Sequence, residues 1–230
     1  RAHRRTDRDI RDAVSTPVGE PALRIARLPD DEDTRLLAEL VSYSSDLTEA
    51  ADALDAALEG GEGKPPWIAL TGFAVVAYMR AFGVSNVRAR LEDRFKVPAE
   101  FARLHELIRT YRNTTIAHSQ SELVAPMAVA YLDESGTIRH VSDVVISQYL
   151  PLELVREFSR LVSAIIEIVE TEADGIRSRL REKYAHTSAE TIAEWAMPDF
   201  DAQLARDFTA RTTRRPNSTF TAYWSVGVDS

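Results

Sequence analysis

Residues 151–184 read PLELVREFSRLVSAIIEIVETEADGIRSRLREKY, and this stretch decides the fold class. Val155, Phe158, Val162, Ile165, Val169, Ala173, Ile176, Leu180 and Tyr184 recur at steps of three and four, the period of one helix face. The phase holds for about 35 residues, with Pro151 at the opening and Gly175 as a candidate bend. An apolar stripe of that length has to lie against other helices.

Upstream, the same period returns. Asp30–Asp33 place negative charge where a helix start favours it. Leu36, Leu40, Tyr43, Leu47, Ala51, Leu54 and Leu58 then form a stripe on a helix of about seven turns, with its acids on a solvated face. Gly60-Gly61-Glu62-Gly63-Lys64-Pro65-Pro66 ends it. The Gly-Lys pair is not a phosphate loop, because Pro65 stands where a Ser or Thr would meet magnesium, so the segment reads as a turn. Trp67–Phe82 is apolar nearly all round, which predicts a helix buried inside the domain or at a subunit contact. Ser85–Phe95 predicts a short basic helix ending before Pro98. Pro98 suits a first helical position, and Phe101, Leu104, Ile108, Tyr111 and Thr115 mark the inward stripe that follows, with His118 next on it.

Met127–Leu132 and Thr137–Val141 flank Asp133-Glu134-Ser135-Gly136 and predict a β-hairpin. Two strands alone are marginal, so the hairpin is expected to pack on helices. Thr187 with Glu190 predicts a capping box for a short helix through Trp195, closed by Pro198, and residues 199–210 suit one more helix. The expected fold is all-α: an antiparallel helical bundle over 30–186 with a small hairpin insertion near 127–141. An N-terminal arm (1–29) precedes it, and a C-terminal helical extension and tail (187–230) follow. The basic and aromatic end of that tail (Arg214, Arg215, Phe220, Tyr223, Trp224) suits strapping to a partner subunit, stacking on single-stranded nucleic acid, or a loosely docked terminus.

The chain has 230 residues, 44% hydrophobic and 28% charged, and no cysteine. Disulfides, thiolate catalysis and cysteine-ligated zinc are thereby excluded. No window is apolar for long enough to span a bilayer, and the first residues lack the apolar run of a secretory signal. The expectation is a soluble, cytoplasmic protein with no membrane partner. The net charge of −8 is unevenly spread. Residues 30–62 carry eleven Asp/Glu against one Arg, while residues 80–112 carry eight Lys/Arg against four Asp/Glu. A polyanion responds to the local field, so the second segment is either a nucleic-acid patch or a set of solvated arginines.

The five histidines are scattered, and none has a partner at metal-ligand spacing. No nucleophile elbow and no dinucleotide-binding glycine fingerprint is present. No metal or cofactor is therefore expected. What remains is Arg109-Thr110-Tyr111-Arg112-Asn113-Thr114-Thr115-Ile116-Ala117-His118-Ser119. Metal-free phosphodiester cleavage needs a group titrating near neutrality, which suits His118, and a forked cation for the phosphate, which suits Arg112. Asn113 is a neutral donor beside them. On an ideal helix Arg112 and His118 lie roughly 120° apart. A loosened helix near Ala117, or a second copy of the motif across a dimer, is needed to bring both to one phosphate. The competing view makes His118 a C-terminal helix cation and Arg112 a solvated one.

Tyr-Arg-Asn-x-x-x-Ala-His-Ser at the end of a bundle helix resembles the signature of the HEPN superfamily, particularly its abortive-infection type U group. That resemblance implies a homodimer with both motifs lining a cleft at the two-fold. It also implies metal-independent ribonuclease activity in toxin–antitoxin or phage-defence systems, with RNA as substrate and an antitoxin protein as a candidate partner. Carried over, Arg112 binds and stabilises phosphate, His118 is the acid/base and Asn113 supports them. Arg94, Lys96, Arg103 and Arg109 become candidate RNA contacts. The alternative is a non-catalytic HEPN-like helical dimer that binds a nucleotide, RNA or a partner protein.

Overall fold

The computed structural model describes residues 25–85, 88–116 and 123–196. Among them the chain is mostly helical, with one two-stranded antiparallel sheet. Helix α1 (Glu32–Gly60) begins at a capping box that the acidic run only half disclosed. Asp31 Oδ1 accepts the Thr34 amide at 2.8 Å, and Thr34 Oγ1 accepts the Asp31 amide at 2.8 Å, so two orphan donors are satisfied reciprocally. Gly61, at φ 89°, closes the helix. Helix α2 (Pro65–Phe82) starts two residues earlier than its apolar run, because both prolines fit a first turn that needs no amide donor.

The expected basic helix over 85–95 is not present among the described residues of that segment, which hold only a 3-10 turn at Leu91–Asp93. Side chains of α1 take over the backbone bonds a helix would have made. Glu39 Oε1 accepts the Ala89 amide at 2.8 Å, and the Tyr43 hydroxyl lies 2.7 Å from the Ala89 carbonyl oxygen. The segment is strapped along α1 instead of coiling on itself. A 3-10 turn (Ala99–Phe101) after Pro98 leads into α3 (Ala102–Tyr111), which widens into a π turn at Arg112–Ile116.

Strands β1 (Val124–Leu132) and β2 (Ile138–Ser147) pair from Val124↔Ser147 to Leu132↔Ile138, further than the expected 127–141. Asp133 holds the tip: its Oδ1 accepts the amides of Ser135 and Thr137, both at 2.9 Å. Helix α4 (Leu152–Tyr184) is the stretch quoted first. It runs through Gly175 without interruption. The short α5 (Ala189–Ala193) is capped by Ser188, whose Oγ accepts the Thr191 amide at 3.2 Å, one position after the expected Thr187. Thr187 is instead held in a turn, its amide donating to the Tyr184 carbonyl at 3.1 Å.

One core joins α1, α2, α3 and α4. α1 packs along both α2 and α4. α1 and α4 run in opposite directions. Asp31 and Asp33 at the start of α1 pair with Lys183 and Arg179 near the end of α4, while Glu62 after α1 accepts the Leu152 amide at the start of α4. The start of α1 and both ends of α4 thus meet charge that the dipole favours, whereas the last turn of α1 has no basic residue. On α4 every expected stripe position from Val155 to Leu180 is buried, and Leu161 joins them. Each fully buried Leu or Phe contributes about 1.5–3 kcal/mol relative to exposure. Trp67 anchors α2 by donating Nε1–H to the Leu150 carbonyl at 2.9 Å.

Two apolar surfaces lie outside this core. The outward side of α2 leaves Ile68, Phe73 and Val76 exposed, so this helix is buried on one side rather than all round. Among the described residues the hairpin has no extensive packing against any helix, contrary to expectation. Met127, Tyr131 and Ile146 are exposed on one face of the ribbon, and Leu132, Ile138, Val141 and Val145 on the other. The order of the chain explains this: the hairpin leaves and returns at one end of the helices, and Leu150 and Trp67 close the core beneath it.

Candidate functional site

The motif sits where α3 changes to a π turn. Thr114 Oγ1 donates back to the Thr110 carbonyl at 2.9 Å, a bond that loosens a helix. Thr114-Thr115-Ile116 is a β-branched run with low helix propensity. Ile116 seats against Gly72 of α2, its Cδ1 3.6 Å from where a Cβ would stand. The wider turn lets that side chain reach α2. It also carries Arg112 and Asn113 on the exposed side, where Arg112 Nη1 donates to Asn113 Oδ1 at 3.1 Å. Single π turns recur at functional sites because they re-aim side chains that a regular helix would spread. His118 lies outside the described residues.

The basic segment is largely neutralised within the protein. Arg94 pairs with Glu39. Burial pushes the Glu39 carboxyl up, but bonds from Tyr43, Arg94 and the Ala89 amide outweigh it and hold the group below its ordinary value. Arg90 pairs with Glu92 and Asp93, at 2.9 and 2.8 Å. Arg109 is half-buried and bridges Glu92 and the Nε2 of His105. Lys96 and Arg103 are exposed and form no ion pair among the described residues. Arg112 forms none either, which sets it apart from Arg80, Arg88, Arg90, Arg94 and Arg109.

Sequence reading passed over His105 as one of five scattered histidines. In the structure it is 4% exposed, at the centre of a chain from Glu92 through Arg109 to Tyr78. A guanidinium only donates, so His105 Nε2 accepts and its proton sits on Nδ1, 2.7 Å from the Tyr78 hydroxyl. Burial first, then the Arg109 charge, lower the imidazole pKa and keep it neutral. Burial likewise raises the Tyr78 phenol. The network pins α3, and with it the π turn, to α2.

A cleft of about 380 Å³ opens beside the motif, between α1, α2 and the connector that follows α2. Arg112 stands on its rim, with Arg80 and Arg88 along its wall. Asp46 receives both of the latter: Arg80 Nε at 2.9 Å, and Arg88 Nη2. Arg80 also pairs with Glu49. Arg88 donates to Ser42 and lies over the Tyr43 ring, 4.8 Å from its centroid. The signal in the sequence was the pair of i, i+4 steps Ser42/Asp46 and Val76/Arg80, which means nothing until the two helices face each other. Among the described residues no group of three His, Asp or Glu is placed to hold a metal, and no helix is long and apolar enough to cross a membrane. Comparison with protein-family models, with curated proteins and with solved structures returns no match for the chain.

Proposed function

We propose that the protein is a metal-independent endoribonuclease of toxin–antitoxin or phage-defence type, built on a HEPN-like antiparallel helical bundle and working in the cytoplasm as a homodimer. Arg112 binds and stabilises the scissile phosphate. His118 moves protons on and off the attacking 2′-hydroxyl and the leaving oxygen, and Asn113 orients the guanidinium. The observation that carries this reading is the state of Arg112: exposed, steadied by Asn113, and unpaired with any carboxylate among the described residues, while Arg80, Arg88, Arg90, Arg94 and Arg109 are paired. A cation kept clear of intramolecular partners suits a phosphate ligand. The π turn at Arg112–Ile116 departs from the ideal helix on which the roughly 120° offset between Arg112 and His118 is reckoned, which is compatible with this reading.

Incubation with total RNA in excess EDTA, beside His118→Ala and Arg112→Ala, is the test. Cleavage by the parent protein is expected to fall at least about 100-fold in either variant. Undiminished cleavage in both variants refutes the assignment.

The second reading, a non-catalytic HEPN-like dimer that binds a nucleotide, RNA or a partner protein such as an antitoxin, is favoured by the hairpin. Its two exposed apolar faces have the character of a contact surface. Binding without cleavage, undisturbed by His118→Ala, is the outcome that distinguishes it.

A further inference from the structure

The cleft beside Arg112 contains more chemistry than a single phosphate ligand requires. We propose that it seats the nucleotide adjoining the scissile phosphate of a single-stranded RNA, a placement that rests on the ribonuclease reading for its substrate class. At about 380 Å³ the cleft has the size of a small-molecule site. Its walls differ in kind. Val76, Met79 and Val84 form an apolar side against which a base can lie flat. Arg80, Arg88 and Arg112 line the cleft with three positive charges against the one negative charge of Asp46, and even with Glu49, which pairs with Arg80 from outside the lining, the group is net positive by one in a chain of net charge −8.

The free donors decide where the phosphate goes. Arg88 is committed: its side chain is 12% exposed and held by Asp46, Ser42 and the Arg80 carbonyl. Arg80 is 43% exposed and engages carboxylates through Nε and Nη2, while its Nη1 makes no hydrogen bond among the described residues. Arg112 donates through Nη1 to Asn113, and its Nε and Nη2 make none among the described residues. Two guanidinia with open N–H groups therefore border one cleft with an apolar wall between the helices. A phosphate bridging Arg80 and Arg112, with its base against Val76 and Val84, satisfies both.

The test uses a fluorescein-labelled, fully 2′-O-methylated oligonucleotide of about eight residues, which binds but lacks the hydroxyl needed for cleavage, read by fluorescence anisotropy. Val76 and Arg80 lie outside the core, so their variants keep the fold, which circular dichroism verifies. Arg80→Ala and Val76→Glu are each expected to weaken binding about tenfold. Glu49→Gln, which frees more of the Arg80 fork, is expected to tighten it about threefold. Affinities within twofold of the parent in all three variants, no binding by the parent, or equal competition by poly-glutamate would each overturn the proposal. Cleavage in EDTA separates the two claims. Cleft-dependent binding without cleavage refutes the ribonuclease reading and leaves the strand site. Cleavage indifferent to Arg80 and Val76 refutes the site and leaves the ribonuclease.

Discussion

At the scale of the residue, Arg109 and Arg112 show how neighbours in one motif take different duties. Both belong to a segment rich in arginine, three positions apart. One turn of helix places Arg109 inward against His105 and Glu92, while the π turn carries Arg112 outward to the cleft. His105 is the residue whose chemistry reports on this arrangement. Its folded pKa is lowered, so between that value and the ordinary 6.5 the unfolded chain binds the extra proton and the native state does not. Stability is therefore full above about pH 6.5 and falls as the pH drops toward the lowered value. The groups facing the imidazole are Arg109 and Glu106 on its own helix, Glu92 on the 3-10 turn and Tyr78 on α2. Thermal unfolding from about pH 7.5 to about pH 5.5 is expected to show a falling midpoint in the parent and a flatter one in His105→Gln. At the higher pH that variant is expected to lose about 1–3 kcal/mol, since Arg109 or Tyr78 loses its buried partner. An identical pH slope in both proteins contradicts the assignment of the proton.

At the scale of the element, α4 is the clearest case of periodicity meeting its structure. Its stripe is buried as read, and the one doubtful position proves to be an ordinary helical residue. Gly175 is exposed, and nothing lies within 4 Å of where its Cβ would stand. Gly175→Ala is expected to stabilise the protein by about 0.5–1 kcal/mol, because Ala loses less backbone entropy in a helix. For a chain of this size that is a rise of about 2 °C in the midpoint by calorimetry, and a fall would mean that the helix needs a glycine at this position. The segment 88–95 is the contrary case. Its composition favours a helix, yet Glu39, Tyr43 and Asp46 on α1 capture its backbone and its arginines, and tertiary bonds replace local ones.

At the scale of the whole molecule, the acidic helix and the basic segment form one electrostatic unit. Their opposite charges lie against each other through Asp46, Glu39 and Glu49, so most of the apparent basic patch is internal pairing, with Arg112, Arg103 and Lys96 left outside it. The hairpin stands apart from this unit. Replacement of residues 124–147 by a short Gly-Ser linker is expected to preserve the helical circular dichroism and to shift the unfolding midpoint by no more than about 2 °C, because among the described residues no helix packs extensively on the ribbon. Cooperative loss of helix on removing the ribbon would show that it supports the core.

The helices α1, α2, α3 and α4, the strand pair and its tight turn followed from the sequence alone, because apolar period, glycine and proline act over a few residues and leave a local signature. The motif Arg112-Asn113 and its polar exposure were legible for the same reason. The cap at Asp31–Thr34 was half-legible, since acids at a helix start are visible but their hydrogen bonds are not. Three features depended on tertiary structure: the burial of His105, the pairing of Arg80 and Arg88 with Asp46, and the lack of extensive helix packing on the hairpin among the described residues. Each depends on which surfaces meet across more than 25 positions of sequence. Desolvation, ion pairing and an unmet apolar face arise only when helices distant in the chain are brought together, or when, as at the hairpin, they are not.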